Sequence, residues 1–98
     1  MPTLTATVPT ANAGRLINRL CKHFDHKVEA HWTGETGQVI FAIGECHMTA
    51  TPQALELSCR SPSQAELDEL GQVVASHLVR FAGGEVEVVE WQGGEHSA

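Results

Sequence analysis

Two stretches of this chain, residues 13–25 and 63–81, carry apolar residues at helical spacing, and they constrain the fold more than any other feature. In the first, Ala13, Leu16, Ile17, Leu20 and Phe24 fall within roughly a 100° arc of a helical wheel. In the second, Leu67, Leu70, Val74, Leu78 and Phe81 form a matching stripe. Each stripe needs an apolar surface to cover, and a chain of 98 residues holds one core, not two. A curved antiparallel sheet is the surface that both can share.

The rest of the sequence supplies strands for such a sheet. Leu4-Thr5-Ala6-Thr7-Val8 alternates with period two, and so does Val28-Glu29-Ala30-His31-Trp32. Thr33-Gly34-Glu35-Thr36-Gly37 reads as a turn, and residues 38–43 as a strand ended by Gly44. Residues 45–50 put Cys46, Met48 and Ala50 on one face. Thr51-Pro52-Gln53 turns the chain into a strand facing inward through Leu55, Leu57 and Cys59. Thr10 or Asn12 can cap the first helix after Pro9. Ser63 and Glu66 have capping-box spacing for the second, which Gly83-Gly84 stops. Residues 85–91 read as a last strand.

The order β-α-β-β-β-β-α-β predicts an α+β two-layer sandwich, a curved antiparallel sheet with both helices on one face. It spans residues 1–92 as a single domain, with 93–98 as a flexible C-terminal tail. The topology is similar to one repeat of the TATA-binding-protein fold with one strand added, an analogy that carries no function.

Charge is unevenly spread. Residues 1–27 hold four cations (Arg15, Arg19, Lys22, Lys27) against Asp25, a net of +3. Residues 28–98 hold Arg60 and Arg80 against eleven acids, a net of −9, which completes the overall −6. An acidic body disfavours nucleic acid, whose phosphates need a broad basic surface. The longest apolar run, residues 39–43, is too short to cross a bilayer, and no basic segment leads into an apolar stretch at the N-terminus. Three cysteines without a C-x-x-C pair point to a reducing, cytoplasmic setting.

On the first helix, Arg15, Arg19, Lys22 and His26 fall within roughly 60° of each other, opposite the apolar arc. His23 lies at the edge of the apolar stripe, and Cys21 on the other flank. Cys21-x-His23 therefore cannot share a metal while the helix holds. His23 and His26 can approach each other, but neighbouring cations oppose a metal ion. The stripe reads better as an anion-facing surface, set against the plainer reading of a solvated helix face. His77, with Arg80 one turn on, bonds to backbone or to Glu66 or Glu69, or else faces Arg19 and His23 across a groove between the helices. His31 and His47 share the outer sheet face, about 10 Å apart with Ile40 between them. That face, with Ile40 and Ala42, also suits a homodimer. Cys46 and Cys59 point inward, Cys21 borders the core without an evident base, and His96 falls in the tail. No nucleophile elbow, P-loop, dinucleotide or zinc-protease motif is present.

The segments L-C-K-H-F-D-H-K-V (residues 20–28), G-E-C-H-M (44–48) and S-H-L-V-R-F-A (76–82), before a final E-V-x-W-like strand, carry a resemblance. Together they resemble a bacterial family, domain of unknown function 2218, over nearly the whole chain. Gly83-Gly84 departs from it where bulkier residues are expected. The resemblance implies a bacterial cytoplasmic domain of this length. It also implies an association with siderophore-interacting, flavin-dependent ferric reductases, so that an anionic ferric siderophore or an acidic enzyme surface would match the basic stripe.

The sequence thus supports a binding or accessory domain for an anionic ligand or acidic partner, with Arg15, Arg19, Lys22, His23, His26, His77 and Arg80 as the ligand-binding set. It assigns no cofactor and no metal ligand. The alternatives are a transition-metal protein acting through histidines, a small enzyme with His23 or His77 as base, and an oligomeric role for the open sheet face.

Overall fold

Alternating side chains on five strands build one apolar face. Ala6 and Val8, then Ala30, Val39, Cys46 and Met48, then Leu55, Leu57 and Cys59 are all buried, while the residues alternating with them are more open to solvent. The computed structural model describes residues 2–84 and 86–93. Its elements are β1 (Thr3–Pro9), α1 (Ala13–Phe24), β2 (Glu29–Trp32), β3 (Thr36–Phe41), β4 (Gly44–Ala50), β5 (Ala54–Arg60), α2 (Gln64–Phe81) and β6 (Gln92–Gly93). They form a two-layer α+β sandwich in the expected order. The sheet runs β2-β3-β4-β5-β1-β6, every neighbouring pair antiparallel, with both helices on the apolar face. Among the described residues, no helix is long and apolar enough to cross a membrane.

The helices start and stop for local reasons. Ser63 Oγ accepts the Glu66 N–H at 3.2 Å, the expected capping contact. Gly83 and Gly84, at φ of +62° and +96°, end the run after α2. α1 closes at Phe24 through a tight turn in which the Lys27 and Val28 N–H groups both reach the Phe24 carbonyl at 2.9 Å. α1 sits low on the sheet because β3 offers Gly37 beneath it. A Cβ there would lie 2.9 Å from both Cys21 Sγ and Ile17 Cγ2.

Three expectations shift. The turn after β2 is shorter than the sequence suggested, because the Thr33 hydroxyl accepts the Glu35 and Thr36 N–H groups and returns Thr36 to the sheet. The run at residues 38–43 is divided by a hairpin: Phe41 pairs with Gly44, so Ala42 and Ile43 form its tip. The last strand is not at residues 85–91. Val86 and Val89 are buried but Val88 is 67% exposed, a three-residue spacing that no flat strand provides. Residues 86–91 instead lie as an unladdered strap, and pairing comes only at Gln92 and Gly93, opposite Thr5 and Leu4. The sheet therefore includes Gly93. Residues 94–98, including His96, lie outside the described residues, as do Met1 and Glu85.

Gly44 is the position least able to change. Its φ is +152°, and a Cβ would fall 2.2 Å from the Arg60 carbonyl and 2.3 Å from Ser61 Oγ. Gly44→Ala is expected to destabilise the domain by about 2 kcal/mol or more, from strain and overpacking together. Urea unfolding of the two proteins, compared at equal m-value, measures it.

Candidate functional site

The C-terminal halves of α1 and α2 pass each other in opposite directions, Arg19 meeting Phe81 and His23 meeting His77. The His23 and His77 ring centroids are 5.0 Å apart, tilted by 41°. Both rings rest on phenylalanines. His23 lies 5.5 Å from Phe24 and 5.2 Å from Phe81, and His77 lies 5.0 Å from Phe24. Phe41 from β3 supports Phe24 edge-on at 5.1 Å. His77 takes the backbone option of the two foreseen: its Nδ1–H donates to the Val73 carbonyl at 2.7 Å, which fixes the ring on α2. His77 and His23 therefore meet ring to ring where the two helices pass.

Arg19 borders this contact with a structural task as well. Its guanidinium lies 5.9 Å over the Phe81 ring, and Nη1 donates to the Phe81 carbonyl at 3.4 Å. That carbonyl belongs to the last turn of α2, where acceptors have no partner within their own helix, so Arg19 closes one helix from its neighbour.

Arg15 and Lys22 stand exposed on the outward side of α1, as the wheel placed them. His26 does not sit on the helix. It follows Phe24 in the closing turn, its N–H bonded to the His23 carbonyl at 3.4 Å. The turn still returns it to the same region: Lys22, His23, Asp25, His26 and Trp32 line an open cleft of about 380 Å³. The indole N–H of Trp32, on β2, donates to Asn18 Oδ1 of α1 at 2.9 Å, which pins the ring along the helix flank. Trp32 and Lys27 were absent from the sequence-derived set. Alternation along β2 already put Trp32 on the face shared with Ala30, and that was the available signal.

Electrostatics set this region apart. The one carboxylate within 4.0 Å of a lysine or arginine, among the described residues, is Glu45 beside Arg60 at 2.9 Å. Arg15, Arg19, Lys22, Lys27 and Arg80 thus hold no ion pair there. The His23 imidazole is held below its ordinary range. Loss of water to the surrounding rings is the main cause, followed by His77, Lys27, His26 and Arg80.

The remaining histidines and cysteines are engaged elsewhere. On the outer sheet face His31 Nε2 lies 2.6 Å from Glu29 Oε2 and His47 Nε2 lies 2.7 Å from Glu45 Oε1. Gln38, not Ile40, lies between the two histidines; Ile40 is registered between Glu29 and Glu45. Glu45 is held below the usual carboxylate range, first by the His47 hydrogen bond and then by Arg60. Around Ile40 the rows crossing this face are polar, for example Thr5, Ser58, His47, Gln38 and His31. Among the described residues no three His, Cys, Asp or Glu side chains gather as a metal site. All three cysteines are free and fully buried. Burial, with help from Asp25, pushes the Cys21 thiol up to about 11, and the Cys59 hydrogen bond raises Cys46 as well. Neither Cys21 nor Cys46 is an activated nucleophile.

The pattern of a family described as "Uncharacterized protein conserved in bacteria (DUF2218)" matches residues 5–92. The NMR structure of PA4090 from Pseudomonas aeruginosa is 38% identical, with a TM-score of 0.78, over 94% of this chain and 96% of that one. No curated protein matches.

A depressed histidine makes a signed prediction. Between its folded midpoint and about 6.5, the unfolded chain binds the extra proton at His23, so stability falls as pH drops through that window. NMR titration is expected to place the His23 midpoint below 6.5, and Lys27→Ala to move it upward. His23→Gln is expected to flatten that part of the stability profile.

Proposed function

The chain belongs to the DUF2218 family of bacterial proteins, and from that premise we propose a binding or accessory module whose basic α1 face receives an anionic ligand or the acidic surface of a partner. One observation carries the reading. Among the described residues, five of the six lysines and arginines (Arg15, Arg19, Lys22, Lys27 and Arg80) have no carboxylate within 4.0 Å, on a chain with twelve acids. A domain with that many acids has ample means to neutralise its own cations. Leaving these unpaired costs stability through mutual repulsion and gains an attractive field for anions.

His23 supports the same reading. Its charged form is disfavoured by nearby cations, and a bound anion would reverse that, so binding and protonation at His23 reinforce each other. Arg15, Lys22 and His26 supply the outer contacts. His77 and Arg80 supply the far wall, while Arg19 holds the wall in place. The setting we propose is iron handling, with a siderophore-interacting reductase or its anionic ferric siderophore as the counterpart, a suggestion that rests on resemblance alone.

The test is Arg15→Glu combined with Lys22→Glu. Both side chains are exposed and unpaired, so the fold is expected to survive. Calorimetry against inorganic phosphate, a ferric siderophore and a purified siderophore-interacting reductase is expected to show salt-sensitive binding of at least one. The double variant is expected to weaken it by roughly tenfold or more. Binding that is indifferent to both salt and charge reversal would end the proposal.

A further inference from the structure

The cleft beside Trp32 is more than a patch of charge, and this inference rests on the basic-face reading just given. Its lining combines Lys22, His23 and His26 with one large aromatic ring and one acid, Asp25. Exposed cations alone select weakly. A single solvated ion pair changes affinity by roughly two- to fivefold, and any carboxylate or phosphate receives the same benefit. What distinguishes this cleft is Trp32. It is half-buried on the edge strand, and its only polar atom is already spent on Asn18 at 2.9 Å. The indole therefore has its carbon surface, not a hydrogen bond, to give a ligand. Aromatic contacts of that kind add about three- to tenfold beyond area alone.

Asp25 narrows the choice further. It lies in the same lining, and its charge repels a doubly charged anion about twice as strongly as a singly charged one. We propose that the cleft between the end of α1 and the edge strand β2 is a binding site for an aromatic monoanion. The carboxylate lies toward Lys22, His23 and His26, and the ring lies against Trp32. Size fits, since about 380 Å³ suits a single substituted ring and falls near the small end of ligand pockets.

The probe is benzoate, with cyclohexanecarboxylate as the same charge on a non-aromatic ring and inorganic phosphate as a charge-only control. Amide and indole NMR signals of the full chain are followed at pH 6 and pH 8. Benzoate is expected to move the Trp32 indole N–H and the amides of residues 22–26, more strongly at the lower pH. Its affinity is expected to exceed that of cyclohexanecarboxylate by roughly three- to tenfold. Trp32→Leu, checked for an unchanged amide spectrum elsewhere, is expected to erase that preference and leave phosphate binding as it was. Equal affinities for the two ring carboxylates would overturn the proposal. So would benzoate shifts centred instead on the apolar groove of about 410 Å³ between α2 and the strap, where Val79, Val88 and Trp91 lie. A response to phosphate together with equal ring affinities sinks the aromatic site alone. Silence toward all three sinks the basic-face reading with it.

Discussion

The close seat of α1 on β3 governs the rest of the molecule. Gly37 lets Ile17 and Cys21 reach the sheet backbone, and that depth decides where the two flanks of α1 emerge. One flank comes out against α2, where His23, Phe24, Phe41, His77 and Phe81 lock together. The other comes out against Trp32 on the edge strand. The basic face is the strip left between these two aromatic borders. Its width and contents follow from how deeply one helix sits, not from any residue within it.

Much of this was legible in the sequence, and the reason is periodicity. The two apolar stripes, the Ser63 cap and the Gly83-Gly84 stop gave the helices, and alternation gave most strands. The wheel sends Arg15, Arg19 and Lys22 outward and sets His23 at the rim, which is where the structure holds them. Other features depended on contacts between elements, which no wheel contains. Nothing in the local pattern says that Trp32 bonds Asn18, that Arg19 closes α2, or that Gln38 lies between His31 and His47. The last strand is misplaced because Val86 and Val88 alternate around Glu87 on paper, while the burial that decides the matter pairs Val86 with Val89.

The segment that looks most like a metal motif shows how geometry sorts chemistry. Cys21 and His23 are two residues apart, yet one is fully buried beneath the helix and the other exposed beside α2. Each is moved away from reactivity by a different cause. The thiol is pushed up by burial, and the imidazole is held down by lost water and by neighbouring positive charge. The residues that share a cleft are Lys22 and His23 at the end of that helix, with Asp25 and His26 from the turn after Phe24.

β6 is only two residues long, and that brevity has a consequence for how the molecule comes apart. The strap before it is held by Val86, Val89 and Trp91, with Trp91 laid over Gly71, whose missing side chain makes the room. Among the described residues, releasing strap and strand together breaks two ladder pairs, against four or more between any other neighbours in the sheet. A partial opening of this end is therefore the low-energy excursion of the native state. What it uncovers is the outer edge of β1, a row of backbone donors and acceptors with nothing charged on it before Pro9. At high concentration that edge is where a strand from a neighbouring chain would add, so the C-terminal strap protects solubility as much as it completes the sheet.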